Sequence, residues 1–236
     1  MAKQTGPLKY VGTIGDIRHF KIKGQKGHFA GMKGGPSADQ VLNGDEFKRT
    51  RENMSEFAAC AKAGKSVRIA LSELLKHMAD RQLTGRLTAI MKQINLEDGS
   101  EARGQRAVNI TDAPHYLVGL NFNQNVPFNS IFRGDYATTV NADRNTSTLS
   151  IPAFNPGNLV QKPSGATHFR LVHAVAAVAN LVYNEDTGGY EPSVPEQNEL
   201  ATVSYSNYLP VTSDVAAFTV DAALAGVTKL SGDVAL

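Results

Sequence analysis

A chain of 236 residues that is 42% hydrophobic and 19% charged carries enough apolar material for one large core or two modest ones, which excludes wholesale disorder. Its single cysteine, Cys60, excludes an internal disulfide and a thiolate metal cage, so the fold has to stand on packing. The net charge of only +2 hides a gradient. Residues 1–106 hold 19 Lys/Arg against 11 Asp/Glu, a balance of +8, whereas residues 107–236 hold 5 against 11, a balance of −6.

The opening, MAKQTGPLKYVG, lacks the apolar core of a secretory signal. The expected setting is the cytoplasm or a particle built inside the cell, a virion included. Residues 8–32 read as a meander of three strands. Leu8, Tyr10 and Ile14 share one parity, Phe20 and Ile22 share another, and Gly15-Asp16 and Gly24-Gln25-Lys26-Gly27 supply turn chemistry between them. The run Lys33-Gly34-Gly35-Pro36-Ser37 then breaks regular structure ahead of a helical region.

Three helices are predicted there, over 45–63, 66–79 and 83–95. The first carries Phe47, Met54, Phe57, Ala58 and Ala61 at helical spacing, with Asp45 placed to cap its start. The second has Ser66 as its cap and Val67, Leu71, Leu74, Leu75 and Met78 as its apolar stripe. The third repeats the pattern with Leu83, Leu87, Ile90, Met91 and Ile94.

Between the first two helices lies AACAKAGKSV, whose Gly64-Lys65-Ser66 matches the end of a phosphate-binding loop. That loop also needs a glycine five positions before its GK, where this chain has Ala59, and a buried strand in front, where this chain has an amphipathic helix. The triplet therefore reads as helix punctuation, with Gly64 at a helix end or kink. Basic residues cluster on the same stretch. Arg51 and Lys62 are eleven residues apart and so return to within about 20° of each other on a helix, with Lys48 nearby. Together with Lys65 and Arg68 they are the candidate contacts for nucleic acid or for assembly.

Composition changes near residues 99–109: 2 of the 10 prolines precede residue 107 and 8 follow it. The expected organisation is a basic meander and helical domain over 1–106, then a domain over 107–236. Candidate strands in the latter are 115–122, 136–142, 146–154, 167–174, 177–184, 200–209 and 216–224, with a hairpin turn at Asn184-Glu-Asp-Thr-Gly-Gly. Their spacing predicts an antiparallel β-sandwich. The fold class is therefore α+β.

Catalytic signals are sparse. His168 and His173 are five apart on an expected strand, which places them on opposite faces and argues against a shared metal. Glu73 and His77 have the spacing of an ordinary i,i+4 pair. No paired carboxylates, nucleophile elbow or zinc spacing stands out, so no catalytic residue, metal or cofactor is assigned. The longest apolar run, residues 174–183, is about half a membrane span, and no membrane partner is expected.

The stretches MAKQTG, VGTIGDI, GGPSADQV, FKRTRENMSEF, RGQR and LVGLNFN together resemble an uncharacterised family of bacterial proteins, chiefly from Bacteroidota, with a basic glycine-punctuated opening and a β-rich second half. The resemblance implies a bacterial or phage-related setting and no particular chemistry. The opposite-signed halves, the turn-rich and sparsely charged β half, the glycine-rich arm and the lack of site chemistry lead to the expectation of a non-enzymatic structural protein that assembles with copies of itself as a filament, tube, sheath or virion component, joining basic to acidic parts. The alternative is a nucleic-acid-binding protein using the basic N-terminal helices.

Overall fold

Gly15 turns the first hairpin, as its position between two apolar runs requires. In the computed structural model, which describes residues 1–236, it takes φ 57 and lets Ile14 pair with Ile17 across a two-residue turn. Strands β1 (Ala2–Lys3), β2 (Gly12–Ile14), β3 (Ile17–Phe20) and β4 (Phe29–Met32) form one antiparallel sheet in the order β1-β4-β3-β2. The expected meander is thus β2-β3-β4, and the first residues add a fourth strand at its far edge. Gln4 ties the sheet together: its amide accepts the Tyr10 N–H at 3.0 Å and donates to the Phe29 carbonyl at 3.1 Å. Helix α1 (Ala38–Asn43) follows, started by a capping box in which Ser37 and Gln40 satisfy each other's backbone N–H. These elements make up a first compact unit, Met1–Arg51. None of its 51 residues is buried.

The chain enters the second unit, Glu52–Leu236, within helix α2 (Lys48–Ala70). Helices α3 (Ser72–Met78) and α4 (Leu83–Glu97) come next. The expected break at Gly64 does not occur: α2 runs through the GKS triplet and ends only at Leu71, whose φ of −96° and ψ of 18° leave the helical region. Gly64 is instead a contact point, since a Cβ there would lie 3.5 Å from the Leu87 Cβ on α4. The buried face of α2 is also not the expected one. Ala59, Cys60, Ala63 and Gly64 face inward, whereas Met54 and Phe57 are exposed. Small side chains let two helix backbones approach, and that close approach wins over burying the larger residues.

These helices share a core with the β-rich half. Ala59, Cys60 and Ala63 pack with Met91 and Ile94 of α4, with Val108 and Ile110, and with Val178, Leu181 and Tyr190. The composition break at 99–109 therefore separates no compact unit, because residues on both sides of it fill one interior.

Helix α5 (Phe128–Ile131) and strand β5 (Ala137–Val140) lead into β6 (Thr146–Ile151), α6 (Pro156–Leu159), β7 (His168–Phe169) and β8 (Val172–Ala179). Then come β9 (Leu181–Asn184), β10 (Gly189–Pro192), β11 (Leu200–Tyr205), β12 (Leu209–Pro210), β13 (Phe218–Ala223) and β14 (Val234–Ala235). Two three-stranded antiparallel sheets, β11-β8-β14 and β13-β6-β5, pack their alternating inward residues on each other. Val175, Ala177 and Ala179 of β8 meet Ala222 of β13 in one cluster, and Leu149, Ile151 and Val220 meet Leu171 in another. The fold is α+β with an antiparallel β half, as expected. Asn184 and Gly189 pair across the β9–β10 hairpin, with Gly188 at φ 63.

One expected strand is absent. Residues 115–122 form turns, because Pro114 starts a 3-10 turn, Gly119 takes φ 79, and the local bonds Leu117 N–H to Pro114 O and Val118 N–H to His115 O close it.

Candidate assembly surface

Two of the stretches that stand out in the sequence, FKRTRENMSEF and RGQR, meet at Glu56. Its side chain is 1% exposed on the inward face of α2. Arg106 donates Nε to Oε1 at 2.8 Å and Nη2 to Oε2 at 2.7 Å, Lys92 donates to Oε2 at 2.5 Å, and the Gly104 N–H donates to Oε1 at 2.8 Å. Burial works to raise this carboxyl, but the hydrogen bonds from Arg106, Lys92 and Gly104 outweigh it and hold the group at about 2.

The RGQR joint is fixed from other directions as well. Asp98 accepts the Ala107 N–H at 2.7 Å, and the Tyr190 hydroxyl donates to the carbonyls of Gly104 and Arg106. Gly104 takes φ 90, and a Cβ on it would meet the Glu52 Cα at 3.2 Å, so the joint needs glycine there. All four donors on Glu56 come from the protein itself, which makes the cluster a structural clamp between α2, α4 and the joint.

Of the candidate contacts, Lys48, Lys62 and Lys65 are exposed. Arg51 donates to the carbonyls of Val41 and Gly44, at 3.0 and 2.7 Å. Lys62 donates to the carbonyl of Tyr190 at 2.5 Å. Arg68 is half-buried. Two of the five are therefore engaged with backbone carbonyls rather than displayed together as one face. His168 is exposed next to Thr167, and His173 is buried against the Ser147 hydroxyl at 3.0 Å, so the two histidines do not meet. Burial pushes the Cys60 thiol up to about 11, which keeps it protonated near neutrality. No cluster of three or more His, Cys, Asp or Glu side chains has a metal-holding arrangement, and no helix is long and apolar enough to cross a membrane.

A concave surface lies between two sheet edges. Strands β11 and β13 are each the last strand of their sheet. The Thr202 hydroxyl joins them at one end by donating to the Ala223 carbonyl at 2.8 Å. Beyond that bond a groove of about 600 Å³ opens, lined on one side by residues 204–207, 209 and 210 and on the other by residues 214–221. Asp214 and Asp221 are its only charged lining residues. At its rim Arg170 stacks 4.1 Å above the Tyr205 ring and 5.3 Å from that of Tyr208, and the Tyr205 hydroxyl donates to Glu73 at 3.2 Å.

No protein-family model matches this chain, and no curated protein or solved structure is significantly similar to it.

The charge gradient sharpens when it is counted over the compact units. Met1–Arg51 holds 10 Lys/Arg against 4 Asp/Glu, a balance of +6, and Glu52–Leu236 holds 14 against 18, a balance of −4. Sequence reasoning missed both the Glu56 clamp and the groove. A lone glutamate spaced i, i+3, i+4 and i+7 with Ala59, Cys60 and Ala63 was the available signal for the first. The groove had no local signal, because it forms where two strands distant in pairing end side by side.

Proposed function

We propose that this is a non-enzymatic structural protein that assembles with copies of itself into a larger particle, its basic N-terminal part docking on the acidic part of a neighbour. The observation that carries the reading is a four-stranded sheet in a unit that has a net charge of +6 and no buried residue. Ile14 and Met32 on the sheet, and Leu8 and Val11 in the segment before β2, are each at least 60% exposed. A sheet of this size needs an apolar face covered to be stable, and a neighbouring copy supplies both the cover and the opposite charge. Head-to-tail contact of two different surfaces does not close on itself at two copies, so it builds rings or fibres. The bacterial or phage-related setting implied by the resemblance suits such a component.

The test is the mass of the purified protein by light scattering, with negative-stain imaging. Large regular particles that shrink as salt rises are expected. A monomer at every concentration and salt level contradicts the reading.

Nucleic-acid binding is the second reading. It draws on residues 1–33, where seven Lys/Arg stand against one acidic residue. It predicts an affinity for DNA or RNA that falls steeply with salt.

A further inference from the structure

We infer that the groove between β11 and β13 is the acceptor for the β2 edge of a second copy's N-terminal sheet. This rests on the self-assembly reading and names the two surfaces that meet.

The acceptor side is a sheet edge left open. Strand β13 pairs only with β6; β11 lies near its other side but forms no ladder with it, and the hydrogen bond between them runs from the Thr202 hydroxyl to the Ala223 carbonyl. Natural edge strands are usually blunted by lysine, proline or a bulge. The β13 sequence FTVDAA has neither lysine nor proline, and its six residues pair with β6 without interruption. The adjoining groove offers room for an added strand, and Tyr205 with Arg170 forms an aromatic and cationic rim of the kind that anchors interfaces.

The donor side is a matching edge. Strand β2 is the last of its sheet, and the residues before it lie in the same exposed run. Val11 is 67% exposed and Ile14 is 60% exposed. Gln4 holds the run in place through the Tyr10 N–H and carbonyl. Lys9 stands in this run, and Asp214 and Asp221 are the only charged residues of the groove lining, with Arg170 at the rim. Backbone pairing would supply affinity, and the lysine–aspartate contrast would select the orientation and make docking salt-sensitive.

The experiment uses the full chain in three forms: wild type, a donor variant K9E/V11D, and an acceptor variant D214K/D221K. Light scattering reads the mass of each, alone and mixed, and circular dichroism checks that each variant keeps the wild-type spectrum. Wild type should form large particles, and each variant alone should stay at monomer mass. Mixed in equal amounts, the two variants should associate, because the native donor of one meets the native acceptor of the other, whereas neither variant should associate alone. If wild type assembles and the folded acceptor variant assembles equally well, the groove is not the docking site, although self-assembly stands. If wild type never assembles, both fail together. Wild type that stays monomeric but binds DNA in a salt-dependent way lost on K9E/V11D overturns the inference in favour of nucleic acid.

Discussion

The two units of this chain solve the folding problem in different ways. Glu52–Leu236 buries three apolar clusters and locks two of its helices to the 103–106 joint with a buried ion cluster. Met1–Arg51 buries nothing, relies on strand pairing and a capped six-residue helix, and leaves Met32 and Leu42 in solvent. The first kind of unit carries its stability within itself. The second kind has no buried core and leaves its apolar side chains exposed. The charge follows the same division, positive where nothing is buried and negative where the cores lie.

The largest expected effect separates the units through Glu56. Glu56→Gln leaves Arg106 and Lys92 partly buried without their counter-charge, which costs about 3–5 kcal/mol. Thermal unfolding should shift down by about 10 °C in a unit of this size. Met32→Ser in the first unit should change the same midpoint by less than about 0.5 kcal/mol, since that side chain is 74% exposed. Equal losses from both substitutions would erase the contrast.

Acid gives the next effect. The Glu56 carboxyl is held at about 2 in the fold against an ordinary 4.5. A depressed carboxyl pKa stabilises the fold above its unfolded value, and that contribution is lost as the pH falls from 4.5 towards 2. The amount is about 3 kcal/mol. Asp98 is shifted in the same direction: burial opposes the shift, and bonds from Ser100 and the Ala107 N–H outweigh it. Chemical denaturation followed at a series of pH values should show stability dropping within this window, and Glu56→Gln should flatten the drop.

The smallest effect concerns Gly64. An added Cβ would make ordinary contact with Leu87, and alanine is about 1 kcal/mol better than glycine inside a helix. Gly64→Ala should therefore be neutral or stabilising by up to that amount, whereas Gly64→Leu should overpack the helix crossing and destabilise by about 1–3 kcal/mol. Denaturant midpoints distinguish the two.

Much of the fold was legible because it rests on local rules. The alternation of Leu149 and Ile151 on β6 and of Val220 and Ala222 on β13 marks half-buried strands, and Gly15 and the 184–189 turn mark hairpins. The helical region was legible too, but the inward face of α2 was not. Large apolar residues such as Phe57 suggest burial, while here a close helix approach selects Ala59, Cys60 and Ala63 instead. Residues 115–122 misled for a related reason: their apolar content suits a strand, and Pro114 and Gly119 impose turns on it. The charge split was readable as a gradient, yet its boundary was not, because the 99–109 break is only compositional and core residues on either side pack together, Met91 with Val108 among them. Neither the Glu56 clamp nor the β11–β13 groove follows from neighbours in sequence.

Amide hydrogen exchange over residues 1–51, followed as protein concentration rises at low salt, tests the central claim most directly. The account predicts rapid exchange across β1–β4 in dilute solution and slow exchange once the protein is concentrated, with the cores of the second unit protected throughout. Protection of the N-terminal sheet that is the same at every concentration would contradict it.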